Sequence, residues 1–438
     1  MGHDTQEVQQ PQTVPQGAAR VADLCDADLS DPRTYTAGPP HAAFDLLRAR
    51  APVAWQDERP VANRASEASS GLPAPPSPGF WAVTSHRIVH EMSRRPDLYS
   101  NHLGGVQMFT ADALTLSGLR LMMLFMDPPE HSRLRKIVSP AFAPRAMATL
   151  RADIARRARE IVGGLAGAGS VDFVETVAKE LPTRVLADLL GMPAADRDLI
   201  VRWTDGMIGF EDAELAGDPA AAVAMFGEAM AYGRQVAADR RARPTGDIMS
   251  AIANAEVEGE RLTDDEFCMF WILLVIAGNE TTRNSLSGAV LALQEHGLWD
   301  GLAREPGRLA TGTDELVRYV SPVMQFRRTA TRDHELGGQR VRAGDKIVMW
   351  YGAANRDPAV FGAPHALDLS RDPNPHLAFG TGPHFCLGSR LAKLEISLML
   401  TELLTRYPRL RLDGEPARIT SSFIAGIAHL PVALGAAP

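Results

Sequence analysis

Apolar residues recur every three to four positions in four long stretches: LRADIARRAREIVGGLAG (150–167), VETVAKELPTRVLADLLG (174–191), DDEFCMFWILLVIAGNETTRNSLSGAVLALQEHG (264–297) and SRLAKLEISLMLTELLTRY (389–407). That spacing lays one apolar stripe along a helix, and it predicts a largely helical chain from His131 onward. Asp264 and Asp265 suit the start of the third stretch and Gly297 its end. Shorter alternating runs, GFWAVT (79–84), HELGGQRVRAGDKIVMWY (334–351) and RLRLDGEPARI (409–419), predict small β elements separated by glycine turns. The fold class is therefore mainly α with a minor β-sheet region.

Two stretches break the pattern. Residues 1–20 are rich in Gln and Pro and are expected to form a disordered tail. Residues 57–79, DERPVANRASEASSGLPAPPSPG, read as a surface-loop insertion between two strand-like runs. Periodic segments of the same character lie on both sides, so neither stretch is an interdomain linker. Residues 21–438 are expected to form a single domain, without internal repeats.

Composition narrows the function only by exclusion. The net charge of −8 gives no reason to expect a nucleic acid partner. The longest unbroken apolar run, 267–277, is eleven residues, and a membrane span needs about 20. No apolar signal segment opens the chain, so a cytoplasmic protein is expected. Cys25, Cys268 and Cys386 are too few and too scattered for a disulfide framework or a four-ligand zinc site.

Four local patterns carry chemistry. Cys386 lies just before a helical run and among Gly380, Gly382 and Gly388, which let the backbone approach a flat ligand. The helix start favours thiolate over thiol, although a lone cysteine is more often an inert buried residue. AGNETT (277–282) places Glu280 and Thr281 inside the most hydrophobic helix, where a polar pair is costly without a task or good partners. The apolar spacing resumes at Leu286, Val290 and Leu293, so the group interrupts the helix rather than ending it. Glu315 and Arg318 at i, i+3, and His131 and Arg135 at i, i+4, would ordinarily be surface pairs.

Residues 379–388 fill the pattern F-G-x-G-x-H-x-C-x-G at every defined position, and here the chain resembles the cytochrome P450 family. The resemblance runs from about 80 to 432, with the motifs in the family's order. It implies a triangular helical prism around a buried haem b, with the Cys386 thiolate as the iron ligand and Phe379 and Gly380 in the haem-binding loop. It assigns Glu280 and Thr281 to the handling of protons for dioxygen. Glu315, Arg318 and Arg371 become a structural triad. His131, Arg135, His384 and Arg328 become the partners of the haem propionates, with Arg328 chosen over Arg327 from the family's R-x-A pattern.

The function implied is a monooxygenase that hydroxylates a hydrophobic small molecule. AGNETTRN, FRRTATRD and HLPV look most like bacterial hydroxylases of sterol side chains, branched lipids and alkanes. A tailoring oxidase for a polyketide or peptide scaffold is the alternative, and a haem sensor or electron carrier the non-enzymatic one; the Glu280–Thr281 pair argues against the latter. Electrons are expected from a ferredoxin and ferredoxin reductase supplied by NAD(P)H, docking near Arg390 and Lys393, and the chain is expected to be a monomer. Segments 101–109, 121–125, 203–210, 321–326 and 421–427 are expected to line the substrate pocket together with Ala277.

Overall fold

Thr263 starts the longest helix. Its hydroxyl accepts from the Glu266 N–H at 3.2 Å while the Glu266 carboxylate accepts from the Thr263 N–H at 2.9 Å, so two otherwise orphaned donors are satisfied. The helix then runs unbroken from Asp264 to Glu295, straight through AGNETT, and Gly297 follows it at φ +64°.

The computed structural model describes residues 15–58, 77–208 and 219–435. Its helices are α1 (His41–Arg50), α2 (His86–Ser93), α3 (Ala113–Leu119), α4 (Glu130–Val138), α5 (Pro144–Gly164), α6 (Glu180–Leu189), α7 (Arg197–Ile208), α8 (Pro219–Ala242), α9 (Ile248–Ala253), α10 (Asp264–Glu295), α11 (Trp299–Arg304), α12 (Leu309–Val320), α13 (Tyr351–Ala354) and α14 (Ser389–Arg406).

Helix α10 is shared by two apolar cores. Its C-terminal half buries Leu286, Val290 and Leu293 with Met399 and Leu403 of α14 and Ile154 and Val162 of α5. Its N-terminal half buries Phe267, Trp271 and Val275 against Ile200 and Trp203 of α7 and the flanking helices. A fully buried side chain of this size contributes about 1.5–3 kcal/mol, so α10 is fixed at both ends and passes through the middle of the molecule.

The sheet has the order β1 (Val53–Asp57), β2 (Gly79–Val83), β8 (Lys346–Trp350), β5 (Gln325–Ala330), β3 (Tyr99–Ser100). β1 and β2 form an antiparallel hairpin, β2 pairs parallel with β8, and β8 pairs antiparallel with β5. The expected run 334–351 resolves into β6 (His334–Leu336), β7 (Gln339–Val341) and β8, with Gly337 and Gly338 at positive φ in the two-residue turn between β6 and β7. The run 409–419 behaves differently. Its strands β9 (Arg411–Leu412) and β10 (Ala417–Arg418) do not pair with each other; β9 pairs with β12 (Pro431–Ala433), which also pairs with β4 (Ser170–Asp172), and β10 pairs with β11 (Ile427–His429).

The expected tail and insertion fall mostly outside the described residues, at 1–14 and 59–76. Residues 15–20, expected within the tail, are described and in contact with the sheet. Ala18 and Ala19 pack on the sheet cores, the Ala19 carbonyl accepts from the Trp55 N–H at 2.7 Å, and Arg20 bridges to Trp55, so the chain is already held from about residue 18. At the insertion, Asp57 and Gly79 form the last pair of the β1–β2 hairpin. Gly79 has φ +149°, and a Cβ there would run into the Gln56 carbonyl, so only glycine fits this corner. Among the described residues no helix is long and apolar enough to cross a membrane.

Candidate active site

The cysteine loop is shaped by its own backbone. The Gly380 N–H donates to the Leu377 carbonyl and the Cys386 N–H to the Phe379 carbonyl, each at 2.9 Å, closing the loop just before α14. Gly382 adopts φ +74° and lies so close to the Ser93 carbonyl at the end of α2 that a Cβ would collide with it. Gly388, by contrast, has nothing within 4 Å of where a Cβ would stand. That leaves open space beside the sulfur for a flat ligand.

Cys386 faces a cavity of about 290 Å³ bounded by this loop, α4, α10, β5 and the N-terminal part of α14. Burial pushes its thiol up, against the opposing pull of the Gly388 and Ser389 N–H groups and of Arg135. The helix-start effect expected from the sequence is thus present but outweighed. A cation at the sulfur is what would hold it as thiolate.

Four basic side chains converge on the same cavity: His131 and Arg135 from α4, Arg328 from β5, and His384 from the loop. The imidazoles of His131 and His384 lie 4.0 Å apart, with the His131 Nδ1 and the His384 Nε2 buried and without a hydrogen-bond partner. Burial pushes the His131 pKa down to about 4, with Arg135 contributing, and holds His384 well below its ordinary value. Arg135 donates to the Phe385 carbonyl at 2.7 Å and Arg328 to the Arg327 carbonyl at 2.8 Å. Among the described residues Glu395 is the only carboxylate in the cavity wall, and it is not paired with any of the four. Two guanidinium groups and two imidazoles without an acid to satisfy them suit a ligand bearing two carboxylates. This donor set, with the sulfur and the open space over Gly388, fits a haem.

Strand alternation separates the two neighbouring arginines. Arg328 reaches the cavity, whereas Arg327 turns to the other face of β5, where it is fully buried and donates to the Phe109 carbonyl at 3.3 Å. The acid–alcohol pair is divided in a similar way. Thr281 lines the cavity and its hydroxyl donates to the Ala277 carbonyl at 2.7 Å. Glu280 does not line it; its carboxylate accepts from Arg283 at 2.5 Å and from Asn284 at 2.7 Å.

Glu315, Arg318 and Arg371 meet away from the cavity. The Glu315 carboxylate accepts from Arg318 twice at 2.7 Å and from Arg371 at 3.1 Å, and Arg318 also donates to the carbonyls of Asn355, Pro364 and Ala366. The Asn355 carboxamide oxygen accepts from the Leu377 N–H at 2.6 Å, which ties this network to the start of the cysteine loop.

Most of the remaining wall is apolar, with Thr282, Ser285, Tyr351 and Glu395 among the polar exceptions. Phe270, Leu273 and Ala277 of α10 face Val323 and Phe326, with Phe423 and Ile424 beside them. These last two segments are clamped together, Met324 N–H to the Phe423 carbonyl at 2.9 Å and Ala425 N–H to the Pro322 carbonyl at 2.8 Å. Segment 101–109 and Trp203, expected in the wall, do not line it among the described residues. Val106 and Met108 belong to apolar cores, and Trp203 packs against Tyr232 and Trp271 at 5.6 Å from each. The rest of 203–210 lies partly outside the described residues. Phe142 and the α6 residues Pro182, Leu186 and Leu189 take part in the wall without having been expected. Nothing in their local sequence sets them apart from core; their apolar face is the signal for both.

Comparison with known proteins agrees with this geometry. The family model described as Cytochrome P450 matches residues 313–426. A steroid C26-monooxygenase of Mycobacterium tuberculosis is 39% identical over 411 residues, covering 92% of each chain. A methyl-branched lipid omega-hydroxylase of the same organism is 41% identical over 367 residues, covering 81% of this chain and 84% of its own. Among solved structures, the Mycobacterium marinum cytochrome P450 CYP268A2 in complex with pseudoionone superposes with a TM-score of 0.85 at 37% identity, covering 97% of this chain and all of that one.

Proposed function

The chain belongs to the cytochrome P450 family and is a monooxygenase with a cysteine-ligated haem b; from that premise we propose that Cys386 is the iron ligand and that the substrate is a lipophilic chain of the sterol side-chain or branched-lipid kind. One observation carries the reading: the Cys386 sulfur, four basic side chains, two of them imidazoles with an orphaned nitrogen, and the Thr281 hydroxyl share one cavity whose remaining wall is mostly apolar. When bound, the haem supplies oxygen activation, and a thiolate ligand favours cleavage of the O–O bond.

The chain's own residues do the rest. Arg135 and Arg328, with His131 and His384, would hold the two propionate carboxylates, which would give the orphaned imidazole nitrogens partners. Phe379 and Gly380 set the path of the loop that presents the sulfur. The walls formed by Phe270, Leu273, Val323, Phe326 and Ile424 exclude water and orient a substrate by shape, since these five side chains offer no polar handle. Thr281 donates to the Ala277 carbonyl and keeps its oxygen lone pairs for a proton arriving from elsewhere. Glu280 is held behind the helix by Arg283 and Asn284, so it supplies Thr281 through a side-chain swing or a bridging water.

Electrons come from a separate small acidic protein, a ferredoxin with its reductase, docked over exposed Phe385 and Arg390. Lys393 contributes less than the sequence suggests, because Asp314 already holds it at 3.1 Å. The three cysteines are free, in keeping with a reducing cytoplasmic compartment. The test is a haem-spectrum titration of the holoenzyme with sterols, terpenoids and branched fatty acids against macrolides and aromatic natural products. Shifts with the first group are expected; shifts only with the second would replace the lipid reading by a tailoring oxidase.

A further inference from the structure

Asp314 and Glu315 are neighbours on α12, but they hold different parts of the molecule. Beyond its own helix, Glu315 reaches only the approach to the cysteine loop, where it accepts from Arg371, Asn374 and the Asp368 N–H. Asp314 reaches both sides of the loop. Its Oδ1 lies 3.3 Å from the His376 Nε2, and its two oxygens accept from the Lys393 Nζ at 3.1 and 3.2 Å. The His376 Nδ1 accepts from the Ala378 N–H at 3.3 Å, so the proton of the neutral ring sits on Nε2 and points at Asp314. The same ring lies 5.7 Å from that of Phe379, whose carbonyl accepts from the Cys386 N–H. Lys393 lies one turn into α14, which begins at Ser389. One carboxylate thus joins the entry of the loop to its exit, and both border the cavity, through Ala378 on one side and Leu391 and Ala392 on the other.

The exit also carries groups that act on the sulfur. The Gly388 and Ser389 N–H groups bear on Cys386, and both belong to the turn that opens α14. Hydrogen bonds to a ligating sulfur draw charge from it and so tune the metal it holds. How well these two reach the sulfur depends on where α14 sits relative to the loop entry, and Asp314 spans that interval. We propose that Asp314 is a positioning residue of the cysteine site: by holding His376 before the loop and Lys393 after it, it keeps the Gly388 and Ser389 N–H groups on the Cys386 sulfur and limits how strongly that sulfur donates to iron. The proposal rests on the reading of Cys386 as the iron ligand. The His376 hydrogen bond, with Lys393, holds the Asp314 carboxyl below its ordinary range against the opposing effect of burial, so the clip is charged at neutral pH. Asp314 and Lys393 are only half-buried, which keeps the clip at the modest strength of partly exposed pairs.

Asp314→Asn and Asp314→Ala lose the same charge, but only the first keeps an oxygen that can accept from His376 and Lys393. A difference between the two variants therefore belongs to the hydrogen bonds and not to the field of the carboxylate. Both holoenzymes are reduced chemically, without a protein partner, and two quantities are read: the midpoint potential and the C–O stretching frequency of the ferrous carbon monoxide complex. Relative to Asp314→Asn, Asp314→Ala is expected to show a lower stretching frequency and an equilibrium constant for reduction roughly twofold to fivefold smaller, because its sulfur donates more strongly. Equal values in the two variants, or a difference of the opposite sign, would overturn the proposal. If Asp314→Ala loads no haem, Lys393→Gln and Lys393→Met replace the pair, the first keeping a donor for Asp314, and the same comparison decides. A wild-type complex without the spectrum of a sulfur ligand removes the Cys386 reading and this one together. A sulfur-ligated wild type with matching variants removes this one alone.

Discussion

Arg327 and Arg328 show how much turns on a single position in a strand. One guanidinium faces the cavity, and the other lies on the opposite side of β5, where the Glu58 carboxylate acts on it. At the same cavity, Arg135→Ala removes a charge-assisted contact with the haem carboxylates, worth about 1.5–3 kcal/mol. Partial loss of haem is expected on dialysis against apomyoglobin, with the apolar wall and its ligand shifts retained; full occupancy would take Arg135 out of the anchor set. Thr281→Ala deletes the hydroxyl that faces the cavity while leaving the helix bond pattern of α10 intact. The variant should load haem and bind substrate as before, yet form several-fold less product per electron and release more hydrogen peroxide. Peroxide yield and product, measured together, check this.

At the scale of elements, the contact between α12 and the segment before the cysteine loop is the most exposed to disruption. Glu315 and Arg318 are both fully buried, so Arg318→Ala leaves a carboxylate and several carbonyls unsatisfied. Breaking a buried pair of this kind costs about 3–5 kcal/mol. Low haem incorporation and an early thermal transition are expected, and a holoenzyme of normal stability would contradict the role given to the triad. These elements also show what the sequence made legible. Cys386, His384, His131 and Arg135 lie in short motifs whose spacing survives as spacing in the helix or loop, so their convergence on one cavity was legible. The α10 helix was legible too, because its apolar period resumes after AGNETT. The α6 wall, Phe142 and the divided positions of Glu280 and Thr281 were not. They depend on which helix packs against which, and a side chain three residues along an apolar stripe looks the same whether it meets a core or a cavity.

For the whole molecule, the net charge of −8 does not by itself favour an acidic partner. The docking proposed above would rely on a local patch, in which Arg390 is exposed and bonded to no acid among the described residues, whereas Lys393 is held by Asp314. Arg390→Glu is expected to slow reduction by a ferredoxin at low salt, with the difference shrinking as ionic strength rises and the Debye length falls below about 10 Å. Equal rates for both proteins at low salt would move the docking site elsewhere.

The parallel pairing of β2 with β8 has a consequence for biosynthesis. Trp81, Ala82 and Val83 have their partners in Ile347, Val348 and Met349, which a ribosome adds about 260 residues later. At about 5–20 residues per second, the finished hairpin waits on the order of 13–50 s with one edge bare. During that interval the nascent chain carries an open template for mispairing, and fragments truncated between Val83 and Lys346 should need a chaperone to stay in solution, while the completed polypeptide should not.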